Sequence, residues 1–370
     1  MPDLRERFND LDRRLAQQNM PDLLTEAARR EPAPAPNLGP SPYRRAGIVL
    51  VALAVTAAST TFLVRAFGGS AAPPNPIAPA APAVTNGVIA YASIEAEHGF
   101  WTIRPDGTGK TEVHVDVPGG VGVPSWAPDG TRIAFDVTSY DQPAPEGGNS
   151  DIHTANADGT DPVRLTSEKV DYNPVWSPDG SKIAYEHIAY THETDDPQIW
   201  VMNADGSDPH RLTFETDPSH PFPAWSPSWS PDGTKIAFVS IDHTNADIYV
   251  MNADGSGITR LTDDPSHEDQ PAWSPHGTQI AFTREGAGDP GIYTMGADGT
   301  GVREELPDPS PANLGMAWSP DGAEMVVVSI RGAGDDRNVY LLDVASGDLK
   351  DFGEPGAWYG VSWQALPTGA

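Results

Sequence analysis

There is no cysteine among the 370 residues, and only 23 lysines and arginines stand against 52 aspartates and glutamates. The first absence excludes disulfides, thiolate metal sites and cysteine nucleophiles. The second leaves a formal charge of −29 and excludes nucleic acid as a partner, because phosphate binding needs a basic surface. No G-x-S-x-G elbow marks a hydrolase nucleophile. Long apolar runs are scarce too, with one at 46–64, AGIVLVALAVTAASTTFLV. What the chain does have in quantity is proline (38) and glycine (36), a balance that suits a turn-rich β protein.

From about residue 87 onward one unit recurs. Its first half reads SWAPDGTRIAF at 125–135, VWSPDGSKIAY at 175–185, SWSPDGTKIAF at 228–238, AWSPHGTQIAF at 272–282 and AWSPDGAEMVV at 317–327. Its second half reads IHTANADGTDPVRLT at 152–166, IWVMNADGSDPHRLT at 199–213, IYVMNADGSGITRLT at 248–262 and IYTMGADGTGVREEL at 292–306, with a weaker copy, VYLLDVASGDLKDF, at 339–352. The tryptophans Trp126, Trp176, Trp229, Trp273, Trp318 and Trp363 are spaced by 50, 53, 44, 45 and 45 residues, close to the period of a four-stranded propeller blade.

Each unit holds four short runs rich in Ile, Val, Tyr, Phe and Trp, divided by turn residues, which predicts strands. In Ser-Pro-Asp-Gly, Pro pre-sets φ, Asp bonds its own backbone and Gly accepts positive φ. Asn-Ala-Asp-Gly closes a second hairpin in the same way. A sheet of this kind buries both faces only by stacking on its neighbours. Five units are complete. VIAYAS at 88–93, FWTIRPDG at 100–107 and TEVHV at 111–115 supply three strands without a Trp strand, and a lone Trp strand stands near Trp363. The two ends complement each other. The prediction is an all-β, six-bladed propeller over 87–370 with one blade closed by both termini, which removes exposed edges.

This in-phase recurrence of WSPDG and NADG resembles the TolB-type propeller repeat, a WD-repeat-like family, over about 285 residues. The resemblance implies a propeller scaffold. Departures are Ala127, His276, Gly296 and the stretch 344–347, each of which weakens one turn. TolB itself carries an N-terminal α/β domain that is not visible in this sequence, so its known partners are not expected to transfer.

The rest of the chain is read in order. Residues 1–45 form a tail in which Leu4, Phe8, Leu11 and Leu15 recur at helical spacing, a solvated tail or a short docking helix. Residues 46–65 are long enough to cross the ~30 Å hydrocarbon core as a single helix. The tail carries 8 arginines, which orients the N-terminus to the cytoplasm, and a cleavable signal is the alternative. Residues 66–86 read as a Pro/Ala-rich linker. The expected location is the bacterial cell membrane, single-pass, with the propeller outside.

Strand order sends all tight turns to one face and the long loops at 138–150, 187–197, 214–225, 263–271, 307–316 and 353–360 to the other. Function usually sits on irregular loops carried by a rigid scaffold. The loop-face candidates for binding a protein or glycan of the cell envelope are Asp171, Tyr172, Phe222, Trp225, His267, Glu268, Asp269, Trp358 and Tyr359. Trp225 is surplus in PAWSPSWSPDG. It either binds a ligand or packs over the rim of its blade. His187, His192, Glu193, Asp195 and Asp196 match no zinc spacing. The acidic loops would suit calcium, which needs no fixed spacing; no other cofactor is implied. The expected role is a binding scaffold without catalysis, with a channel-sited hydrolase or lyase and a sensor signalling through the tail as alternatives.

Overall fold

The computed structural model describes residues 84–367 apart from 94–95, 97, 140–148, 168–169, 189–196, 215–222, 243–244, 286–289, 308–312, 331–336 and 354–356. The expected tail (1–45), membrane helix (46–65) and all but the end of the linker (66–86) lie outside the described residues. Among the described residues no helix is long and apolar enough to cross a membrane.

The turns build the fold locally. Gly130 donates its N–H to the Ala127 carbonyl (2.9 Å), and Asp129 Oδ1 accepts the Thr131 N–H (2.9 Å). In the second turn Gly159 donates to the Asn156 carbonyl (2.8 Å) and Asp158 Oδ1 accepts the Thr160 N–H (3.0 Å). The two turns of one repeat are tied to each other. Ala157 donates to Thr131, Ala204 to Ser181, Ala253 to Thr234 and Ala297 to Thr278, so tight turns share one face. The His276 departure keeps its turn, with Gly277 donating to the Ser274 carbonyl (2.9 Å).

The RLT run has an equally specific purpose. Its threonine accepts a backbone N–H from within the neighbouring strand: Thr166 from Ile152 (2.9 Å), Thr213 from Ile199 (3.0 Å) and Thr262 from Ile248 (2.9 Å). Its arginine pairs with a buried acid in two repeats, Arg164 with Asp151 and Arg260 with Asp247, both at 2.7 Å.

In chain order the strands are β1 (Val84–Ser93), β2 (Gly99–Ile103), β3 (Thr111–His114), β4 (Gly120–Val121), β5 (Ser125–Trp126), β6 (Arg132–Ser139), β7 (Asn149–Asn156), β8 (Val163–Arg164), β9 (Val170–Trp176), β10 (Lys182–Ile188), β11 (Gln198–Asn203) and β12 (His210–Arg211). They continue as β13 (Ala224–Trp229), β14 (Lys235–Asp242), β15 (Asn245–Asn252), β16 (Thr259–Arg260), β17 (His267–Trp273), β18 (Gln279–Glu285), β19 (Gly291–Gly296), β20 (Arg303–Pro307), β21 (Asn313–Trp318), β22 (Glu324–Ile330), β23 (Arg337–Asp343), β24 (Leu349–Asp351) and β25 (Ala357–Pro367).

Four sheets have four strands each, in the orders β25-β1-β2-β3, β13-β14-β15-β16, β17-β18-β19-β20 and β21-β22-β23-β24. The first unites the lone C-terminal Trp strand with the three N-terminal strands. The expectation of six separate four-stranded sheets needs correcting, because β4 to β12 form one nine-stranded sheet. A single parallel pair, Ser150↔Val170, joins β7 to β9. Within it the Trp strand of the second repeat is split into β4 and β5. Between them Val123 donates its N–H to the Asp136 side chain (3.0 Å).

The Trp strands touch one another in sequence, β5 to β9 to β13 to β17 to β21 to β25 and back to β5, so they form the inner ring. Where the residue before the Trp is serine, its hydroxyl accepts the next Trp backbone N–H: Ser362 from Trp126 (3.1 Å), Ser125 from Trp176 (3.4 Å) and Ser228 from Trp273 (3.2 Å). Where it is Val175 or Ala272, the indole of Trp229 (3.2 Å) or Trp318 (3.0 Å) reaches back to that residue's carbonyl.

Among the described residues the buried apolar side chains form six clusters, each lying between consecutive repeats. One holds Ala184, Ile199 and Val201 against Trp229, Ile236, Phe238 and Tyr249. Burying each large side chain of this kind stabilises by about 1.5–3 kcal/mol. Tight turns pack just as closely: Gly159 has φ +83° and a Cβ there would overlap the His114 carbonyl oxygen of the preceding repeat. Gly159→Ala is therefore expected to cost about 3 kcal/mol, from left-handed strain plus a backbone clash. Denaturant unfolding checks this, and a loss below about 1 kcal/mol would refute it.

Candidate functional site

The inner strands start earlier than the sequence suggests. Asp171 and Tyr172 lie in β9, Trp225 in β13, His267, Glu268 and Asp269 in β17, and Trp358 and Tyr359 in β25, so these are strand residues and not loop residues. Phe222, His192, Glu193, Asp195 and Asp196 lie outside the described residues, as do most of the acidic loops that suggested calcium. Among the described residues no group of three or more His, Asp or Glu side chains is placed to hold a metal.

The reason is one irregularity repeated at the same place. Tyr172-Asn173-Pro174-Val175-Trp176, Trp225-Ser226-Pro227-Ser228-Trp229 and Asp269-Gln270-Pro271-Ala272-Trp273 occupy equivalent positions. Each register slips just before the Trp, and the third residue before it is left-handed: Asn173 (φ 49°), Ser226 (φ 52°) and Gln270 (φ 54°). A polar residue followed by proline reads as loop in sequence, whereas here it is a bulge in an inner strand. The surplus Trp225 is thereby explained as the counterpart of Tyr172 and Asp269. It is half-buried and packs against the cluster that contains Val239 and Ile248.

The bulges hold a belt of hydrogen bonds at the loop end of the ring. Asp136 on β6 accepts N–H bonds from Val123 (3.0 Å) and from the Asn173 backbone. Glu186 Oε1 on β10 accepts from Asn173 Nδ2 (2.6 Å) and from the Ser226 N–H (2.7 Å). Asp269 Oδ1 accepts from the Ser226 hydroxyl (3.0 Å), the Gln270 N–H (2.6 Å) and the Trp225 indole (3.2 Å). Burial pushes the Asp136 carboxyl up to about 6. Burial, with Asp269 and Asp136 adding repulsion, pushes Glu186 up to about 7. Glu285 rises to about 7 through burial and the charge of Asp269. Asp269 itself is raised by burial.

Two other candidates are buried in pairs. Asp171 bonds His187 Nδ1 at 2.6 Å, and that imidazole lies on the Trp200 ring (4.6 Å between centroids). Glu268 accepts from Arg284 Nη2 at 2.7 Å, and that guanidinium lies 4.4 Å over Tyr293. The two constellations stand at the same place in their repeats. His267 is exposed. The repeated turn aspartates are tied up as expected: bonds from Ser177 and Ser181 hold the Asp179 carboxyl below its ordinary value.

Asp136, Glu186, Asn173, Ser226, Gln270 and Glu285 were not among the residues singled out from the sequence. A signal existed for the first two. The residue after the IAF run or its counterpart is Ala92, Val239, Thr283 or Val328 in four repeats, but Asp136 or Glu186 in two.

The architecture is shared with known structures. A putative TolB from Agrobacterium tumefaciens is similar over 78% of this chain and 100% of its own, at 20% identity and TM-score 0.55. A chain of a nidogen/laminin complex is similar over 75% and 97%, at 12% identity and TM-score 0.57. An oligogalacturonate lyase from Vibrio parahaemolyticus is similar over 69% and 74%, at 14% identity and TM-score 0.51. No curated protein matches this chain. The family model described as the TolB beta propeller domain matches residues 77–226 and 218–354, and the chain belongs to that family.

Proposed function

We propose that this is a membrane-anchored, extracytoplasmic binding propeller that recognises a protein or glycan of the cell envelope at the loop end of its ring. The observation that carries the reading is the placement of Tyr172, Trp225 and Asp269 on three successive inner strands. All three are only partly buried, and the Trp225 indole is fixed by Asp269. Aromatic side chains held on rigid strands make binding anchors at low entropic cost. The nidogen/laminin complex is a case of a similar fold engaged with a protein. The apolar segment 46–64 supports the anchor. The blade count in this reading is six, with the nine-stranded sheet taken as two blades joined at Ser150↔Val170. The closed order of inner-strand contacts and the six inter-repeat clusters support it.

The test uses the full chain and a Tyr172→Ala, Trp225→Ala variant, each immobilised and offered envelope proteins and envelope glycans as separate pools. A ligand held by the parent and weakened at least about tenfold (~1.4 kcal/mol) in a variant that still melts cooperatively is the expected result. Equal retention by both sinks the proposal. A second reading, a channel-sited hydrolase or lyase, draws on the raised carboxyls of Asp136, Glu186 and Glu285, which suit proton transfer near neutrality. Turnover of a glycan that disappears in Glu186→Gln would favour it.

A further inference from the structure

Among the described residues the acids near the loop end of the ring differ in their partners, and Asp171 is held by His187. Asp151, Asp247 and Glu268 are each paired with an arginine, Arg164, Arg260 and Arg284. Asp136, Glu186 and Asp269 are not: among the described residues every bond given above to these three comes from a backbone N–H, an amide, a hydroxyl or an indole. The charged and titratable groups that bear on them are one another, Glu285 on β18 and His267 on β17. A buried carboxylate with no counter-charge is costly, and two that share one donor are more so.

Sharing is what the bulges impose. Ser226 gives its N–H to Glu186 and its hydroxyl to Asp269. Asn173 gives its backbone N–H to Asp136 and its side-chain amide to Glu186. Each of these bonds bar the amide of Asn173 crosses from one repeat to the next. The stitches run from β6 to β9, from β10 to β13 and from β13 to β17. At the equivalent place in the last two Trp strands Gly315 lies against Gly360.

We propose that Asp136, Glu186 and Asp269 form a proton-operated clasp across three successive repeat boundaries, tighter when protonated and looser when ionised. A proton on Glu186 removes one of two charges focused on Ser226 and turns a carboxyl oxygen from acceptor into donor. The sign follows from linkage. Glu186 moves from an ordinary 4.5 to about 7 and Asp136 from 3.8 to about 6, so the folded state binds more protons than the unfolded chain across that interval. Stability is then greatest near the lower end and falls as pH rises to about 7. The turn aspartates act oppositely. Asp158, Asp179, Asp205 and Asp254 are held below their ordinary value, and their contribution is lost only at lower pH. The interval between pH 5.5 and 8 therefore reads the clasp together with Glu285, which also rises to about 7, and Glu186→Gln separates the two.

The experiment is thermal unfolding of the full chain at pH 5.5 and pH 8.0. Tm is expected to be roughly 5 °C lower at pH 8.0, the size that raised carboxyls of this kind give in a domain of this length. Glu186→Gln, which cannot ionise, should regain most of that difference at pH 8.0 and change little at pH 5.5. A wild-type Tm equal at both values, or an unchanged slope in Glu186→Gln, overturns the proposal. If that variant does not fold, carboxyl NMR titration of the wild-type chain decides. Midpoints between 6 and 7 assigned to Asp136 and Glu186 support the clasp, and midpoints near 4 for both overturn it.

Discussion

A chain ending at Gly353 should show no cooperative thermal transition. The missing strand β25 is the inner strand of the first sheet, pairing Ile89 with Trp363 and Tyr91 with Val361. Trp363 and Val361 also sit in the cluster that holds Ile89, Tyr91 and Ile103 against Val326, Val328, Val339 and Leu341 of the last complete repeat. Their removal forfeits about 3–5 kcal/mol of apolar burial, leaves a long edge on β1, and opens the ring where Ser362 receives the Trp126 N–H. A domain of this kind has about 5–15 kcal/mol in total. Circular dichroism against temperature is the measurement, with a peptide spanning 354–370 added in trans to restore the transition. A sharp transition within about 10 °C of the parent, with no peptide, would mean that the ring closes without its last strand.

Arg284→Ala should be the most damaging single substitution at an acid–base pair, costing about 3–5 kcal/mol in denaturant unfolding. Glu268 is fully buried, its Oε1 lies 2.7 Å from Arg284 Nη2, and Asp264 lies 3.3 Å from Nη1 of the same guanidinium. Removing the arginine leaves the Glu268 carboxylate without its counter-charge and uncovers the Tyr293 ring, over which the guanidinium now lies. Replacing both partners with apolar residues of similar volume should cost much less, since the desolvation of two charges disappears with them. A single mutant within about 1 kcal/mol of the parent would show that water reaches Glu268.

The two predictions mark what the sequence does and does not reveal. The first rests on a feature legible from text alone. A Trp strand without partners at one end and three strands lacking a Trp strand at the other have one economical solution. The turns were legible too, because Ser-Pro-Asp-Gly and Asn-Ala-Asp-Gly are local chemistry. Glu268 shows the limit. A charged residue in a polar, proline-containing stretch reads as exposed loop, and what buries it is an arginine sixteen residues away on the neighbouring strand. The belt was hidden for a related reason. Ser226 and Asn173 look like turn residues, and only the ring brings the first within reach of Glu186 and Asp269. The join between β7 and β9 has no sequence signature, being one backbone pair set by the approach of two repeats.

The pairing of β1 with β25 also sets a clock. Ile89 and Trp363 are about 270 residues apart, so at roughly 5–20 residues per second a ribosome makes the second some 15–55 s after the first. Through that interval the first sheet has three strands, and the apolar faces of Ile89 and Tyr91 wait uncovered. The nascent chain is thus committed to a period of dependence on whatever shields it, and its ring closes only once β25 has been made.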